Sequence, residues 1–94
     1  MDTYKRLLCP FCDSESDCWL TDAENLLQFA CTIHGEFDIH SVAYRKIKEH
    51  PVFLQSLVNL LKNFPTEHPG HRLYIGMKGG QFYWTTVPHP KSKP

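Results

Sequence analysis

The sequence predicts an α+β fold: a small β-hairpin module, then two helices, then a C-terminal β-hairpin, forming one domain over residues 1–87. Three observations predict it. The pairs Cys9-Pro10-Phe11-Cys12 and Cys31-Thr32-Ile33-His34 flank short apolar segments. Apolar side chains recur at helical spacing between Phe53 and Phe64. Two alternating segments flank Gly79-Gly80, a two-residue hairpin signal. A chain of 94 residues buries only about 60–70% of the surface its unfolded form exposes. A domain of that size benefits from a staple. Its 41% hydrophobic and 13% aromatic content is too apolar for a disordered chain.

No apolar run approaches the roughly 20 residues of a membrane span, and the first nine residues hold no apolar leader segment. A cytoplasmic setting without membrane contact is therefore expected, and there thiols stay reduced and bind metals. All four cysteines, Cys9, Cys12, Cys18 and Cys31, lie in the first third of the chain. Two ligands three positions apart in a tight turn can point at one ion, and a second such turn completes a tetrahedron. Cys9, Cys12, Cys31 and His34 are thus the expected ligands of one structural Zn²⁺, because thiolate and imidazole suit zinc better than magnesium or calcium. Gly35, directly after the last ligand, frees the backbone to curl around it. Cys18 stands apart. It either replaces His34 as fourth ligand or packs as a small apolar side chain on the strand leading to Trp19. His34-Gly35-Glu36 reads as H-x-E, but zinc deaminases place that motif before their C-x-x-C pair, the reverse of the order here.

Between the ligand pairs, Cys18-Trp19-Leu20 and Leu26 to Ala30 read as strands, with Thr21 to Asn25 as the turn. A hairpin flanked by two metal knuckles is a zinc-ribbon, treble-clef-like layout, spanning residues 7–40. Cys9-Pro10-Phe11-Cys12, then Phe29-Ala30-Cys31-Thr32-Ile33-His34-Gly35, then Phe37-Asp38-Ile39 resembles the zinc-binding ribbon that opens bacterial and phage DNA primases. The likeness covers about residues 9–45. In that family the histidine belongs to the first pair; in this chain it sits in the second. The resemblance implies a ribbon that binds single-stranded template or docks on a replication partner. The residues after it do not read as a primase catalytic domain, so priming is not implied.

The helices occupy residues 41–64. Ser41 suits an N-cap for a helix through about Glu49, and Pro51 suits the first turn of the next. Phe53, Leu54, Leu57, Val58, Leu61 and Phe64 form its apolar stripe, which Pro65 ends. His68 and His71 are spaced H-x-x-H in the loop that follows, with no further ligand near them in sequence. In the hairpin of residues 72–87, the Gly79-Gly80 turn pairs Lys78 with Gln81 and so sets the register. Leu73, Ile75, Met77, Phe82 and Trp84 then share the core face, and Tyr74, Lys78 and Tyr83 the other. Residues 88–94, with three prolines and two lysines, are expected to form a flexible tail.

Charge bears on function. The zero net charge joins two unlike halves: residues 1–40 hold eight acidic against two basic side chains, a net of −6, and residues 41–94 the reverse, +6. The bland reading is two faces that attract each other within one fold. The functional one is a basic half, Arg45, Lys46, Lys48, Arg72 and Lys78, with Tyr74 and Tyr83 beside it, contacting single-stranded or distorted DNA. The alternative is a small protein-binding adaptor or inhibitor, encoded by a phage or mobile element, that docks on a nucleic-acid-handling machine. No nucleophile–base pair, open metal site or paired carboxylates suggest an enzyme. No small-molecule substrate is expected.

Overall fold

The computed structural model describes residues 3–21 and 25–88. Six strands run in chain order across one sheet: β1 (Thr3–Leu8), β2 (Glu15–Thr21), β3 (Leu26–Cys31), β4 (Gly35–His40), β5 (His71–Lys78) and β6 (Gln81–Pro88). Neighbours are antiparallel except β4 and β5, which run parallel. Antiparallel partners need only a tight turn, whereas a parallel pair needs a long crossover. Residues 41–70 supply it, as α1 (Ser41–Lys46), a 3₁₀ turn (Ile47–Glu49), α2 (Pro51–Lys62) and α3 (Phe64–Glu67).

The expected α+β class stands, but its division into a ribbon and a separate C-terminal hairpin does not. Phe37-Asp38-Ile39 pairs with Leu73-Tyr74-Ile75, so both hairpins merge into one sheet. β1, absent from the sequence reading, extends that sheet at its other edge. Its residues are mostly exposed, and an edge strand with little to bury carries no hydrophobic alternation.

Cross-strand register sorts the side chains into two faces. One row runs Lys5, Cys18, Phe29, Phe37, Leu73, Thr86, and the next Thr3, Leu20, Leu27, Ile39, Ile75, Trp84. This face is the core. Ala43, Ile47, Leu57, Leu61 and Phe64 from the crossover are buried with it, Tyr44 lies 5.5 Å from Phe29, and Phe53 stacks on Phe82 at 5.0 Å. Full burial of a side chain such as Leu57 contributes about 1.5–3 kcal/mol. The other face holds the row Tyr4, Trp19, Gln28, Asp38, Tyr74, Thr85. No described helix lies over it.

Several local expectations change. His40, not Ser41, caps α1, its Nδ1 accepting from the Val42 N–H at 3.2 Å. The first helix tightens to 3₁₀ after Lys46. Pro65 does not end the helical region: it sits in the first turn of α3, where a missing N–H costs nothing. Register and turn of the β5–β6 hairpin are as expected, with Gly79 and Gly80 at φ 59° and 80°. Trp84, expected in the core, is 42% exposed, because β6 is an edge strand that the crossover covers only near Phe82. Pro88 belongs to β6 rather than to the tail. The rest of that tail, residues 89–94, and positions 22–24 of the Thr21–Asn25 turn lie outside the described residues. Among the described residues, no helix is long and apolar enough to cross a membrane.

Candidate metal centre and the open sheet face

Two hairpin tips meet at one end of the sheet. The β1–β2 tip is a knuckle in which the Cys9 N–H donates to the Ser14 carbonyl at 2.9 Å and the Asp13 N–H donates to the Cys9 carbonyl at 2.8 Å. Asp13 takes φ 59° there, a conformation Asp tolerates better than most residues. The β3–β4 tip runs from Cys31 through His34 to Gly35 at φ 80°. It is closed in part by the Ile33 N–H donating to Cys31 Sγ at 3.4 Å.

These tips bring Cys9, Cys12, Cys31 and His34 together, their ligand atoms all within 4.8 Å of one another. Cys12 Sγ lies 3.6 Å from Cys31 Sγ, and His34 Nδ1 lies 3.9 Å from both Cys9 Sγ and Cys31 Sγ. A disulfide would require about 2.05 Å, so the thiols are free. Thiolates held at about 2.3 Å from a tetrahedral ion stand about 3.8 Å apart. The four residues are close enough to hold a metal ion. Phe11 ties the cluster to the core, lying 5.4 Å from the His34 ring and 5.0 Å from Phe37. The Tyr44 hydroxyl donates to the Leu8 carbonyl at 2.8 Å, holding α1 against the first knuckle.

The thiols differ in their surroundings. Burial pushes the Cys9 thiol up to about 12. Burial also raises Cys31, but the backbone N–H groups of His34 and Ile33, helped by the His34 and Ser16 side chains, outweigh it and bring the thiol down to about 6. Cys18 lies outside the cluster. It is fully buried on the core face, where desolvation pushes its thiol up to about 11. The reading of Cys18 as a packed apolar side chain fits this position.

His68 and His71 line a cavity of about 260 Å³ with His34, Glu36, Leu61, Phe64 and Gly70. The fold thus brings two further polar groups to the H-x-x-H pair, but His68 packs on Phe64 at 4.7 Å and His71 Nδ1 contacts the Pro69 carbonyl at 3.2 Å. Among the described residues, ligand atoms converge at the Cys₃His cluster alone.

The residues expected to meet nucleic acid do not form one surface. Arg45 and Lys46 are exposed on the crossover, whereas Tyr74, Lys78 and Tyr83 belong to the open face on the far side of the sheet. Lys48 pairs with Asp13. Arg72, expected to be exposed, is 94% buried: its relative exposure is 6%. Its Nη2 lies 2.5 Å from Asp38 Oδ1 and its Nη1 3.6 Å from Glu36. Arg72 and Asp38 form an ion pair, and Arg72 Nε has no described hydrogen-bond partner. Burial raises the Asp38 carboxyl above its usual range, and Arg72 and Gln28 offset only part of that shift.

Sequence reasoning missed Tyr4 and Trp19, which extend the open aromatic surface to the other edge. Their rings are 5.4 Å apart, and those of Tyr74 and Tyr83 are 6.1 Å apart. Trp19 was legible as a strand residue next to Cys18, but its pairing with Tyr4 requires β1. Comparison with protein-family models, curated proteins and solved structures finds no match to this chain.

Proposed function

We propose that this chain is a non-catalytic, zinc-stabilised binding module that holds single-stranded nucleic acid on the open face of its sheet. One observation carries the reading: Tyr4, Trp19, Tyr74 and Tyr83 stand on the face opposite the helices, with Tyr4 51%, Trp19 39% and Tyr83 40% exposed. Aromatic rings left outside a core offer stacking platforms for unpaired bases, each worth about 1–3 kcal/mol. Three thiolates and one imidazole suit Zn²⁺. Four protein ligands leave no position for a reactive water, so the ion is structural.

Electrostatics set the expected character of binding. Arg6, Arg72 and Lys78 on this face are balanced by Asp17, Glu36 and Asp38. Arg6 already pairs with Asp17 at 2.9 Å and Glu15 at 3.5 Å, and Arg72 with Asp38. Few phosphates are neutralised, so stacking dominates and the salt dependence is shallow. That same neutrality favours the second reading, a protein partner docked on the aromatic face.

Titration of fluorescent single-stranded and double-stranded DNA into the zinc-loaded protein, at low and moderate salt, tests the proposal. Binding of the single strand is expected, weakened roughly 5- to 100-fold by Trp19→Ala or Tyr83→Ala and little changed by Lys46→Ala. No binding even at low salt eliminates nucleic acid and leaves the protein partner.

A further inference from the structure

We propose that two copies of the chain pair antiparallel along β6, joining their sheets across a two-fold axis at Trp84. The ladder establishes which groups are available. Gly79 and Gly80 both take positive φ, which makes the hairpin turn type I′ and the Lys78–Gln81 pair its hydrogen-bonded closure. Hydrogen-bonded and non-bonded pairs alternate in an antiparallel ladder, and the register runs unbroken from Lys78–Gln81 to His71–Pro88. Gln81, Tyr83, Thr85 and Val87 therefore bond inward to β5. Phe82, Trp84 and Thr86 turn their N–H and C=O groups outward, at the end of the sheet where no described strand follows.

The two edges of the sheet differ in how they treat this liability. β1 carries Lys5 and Arg6, and charged side chains on an edge oppose pairing with another strand. β6, from Gln81 to Pro88, carries no charge at all. That difference selects the occupant. An identical strand can lie against β6 without setting like charges opposite each other, and the free groups at positions 82, 84 and 86 are symmetric about Trp84. In that register Phe82 faces Thr86 of the second copy, Tyr83 faces Thr85, and the two Trp84 indoles meet at the axis. Aromatic and β-branched pairs of this kind are the favourable ones across strands. The exposure of Trp84, on the core side of the sheet but beyond the cover of α2, is then relieved by its symmetry mate. Pro88, which lacks an N–H, falls on the outward set and terminates the pairing.

Pairing along one strand buries less than the roughly 1,200–2,000 Å² of a standard interface, so the dimer is weak and concentration-dependent. Sedimentation equilibrium of the zinc-loaded protein in reductant is the test. The mass should rise with concentration from 10.9 kDa towards twice that value. Trp84→Lys, which sets two ammonium groups together at the axis, and Thr86→Pro, which removes only an outward N–H, should both stay monomeric with one metal per chain. Trp84→Phe should still dimerise. Amide exchange supplies a readout on the unmodified chain, with the Phe82, Trp84 and Thr86 amides slowed at high concentration. A wild-type mass that stays at the monomer value, a dimer that survives both substitutions, or outward amides indifferent to concentration overturns the proposal. None of these readouts depends on nucleic-acid binding.

Discussion

Arg72 is a buried cation held against two carboxylates. A basic residue at the start of an alternating strand reads as a solvent-facing charge, yet the parallel pairing of β4 and β5 lays it beside Asp38 and Glu36. Removing one member of a buried ion pair leaves the other charge uncompensated, at a cost of about 3–5 kcal/mol. Arg72→Met is therefore expected to lower the chemical-denaturation free energy by about that amount, and Asp38→Leu added to it should restore much of the loss. Asp38 also makes stability pH-dependent. Its folded value lies above its unfolded one, so its contribution is present below the ordinary carboxylate range of about 4 and lost as pH rises through the raised value. Denaturation at a series of pH values should show a smaller fall in stability in Asp38→Asn than in the unmodified chain as the pH is raised above the ordinary carboxylate range. Gly76 offers a cleaner separation of stability from binding. A Cβ there would stand 2.8 Å from the Tyr83 ring, and the atoms met are the far end of a side chain that can swing aside. Gly76→Ala should thus cost under about 1 kcal/mol in stability, yet weaken single-strand binding as Tyr83→Ala does.

At the scale of elements, the hairpin tips gather Cys9, Cys12 and Cys31 beside His34, while Cys18 is buried in the core. Cys9→Ser should abolish stoichiometric zinc by elemental analysis, whereas Cys18→Ser should keep one metal per chain and lose about 1–3 kcal/mol through a buried hydroxyl. Retention of zinc by Cys9→Ser would refute the assignment. Much of this was legible because ligand spacing, a Gly-Gly turn and a 3.6-residue apolar period are local signals. Spacing brought Cys9, Cys12 and Cys31 together with His34 or Cys18 as the fourth residue, the fold places His34 in the cluster, and the β5–β6 register followed from its turn. What escaped was non-local. β1 buries little and so leaves no pattern, Trp84 alternates correctly but sits at an uncovered edge, and the union of β4 with β5 depends on a crossover whose return point no short window contains.

On the scale of the whole molecule, the opposed charges of the two halves acquire a structural meaning. Asp13 with Lys48, and Glu36 and Asp38 with Arg72, each join a residue of the acidic N-terminal half to one of the basic C-terminal half. Part of the charge split thus acts as internal complementarity, as the bland reading held. Exposed pairs such as Asp13–Lys48 contribute little, about 0–1 kcal/mol, so metal rather than charge is expected to dominate stability. Chelation should abolish a single cooperative thermal transition monitored by circular dichroism, because all six strands share one sheet and one core. Loss of signal from only half of the structure would contradict that coupling, and unchanged melting would remove the metal from the account of stability.

The parallel join between β4 and β5 also has a temporal consequence. Strands β1 to β4 are linked by short connections, and contacts close in sequence form quickly, while β5 can take its place only after residues 41–70 have been ordered or looped back. Cys9, Cys12, Cys31 and His34 lie wholly within the early part. Under the proposed zinc assignment, a ribosome releases a segment able to capture the ion well before the strand that completes the central sheet has emerged, and the C-terminal half arrives to find a template clipped in register.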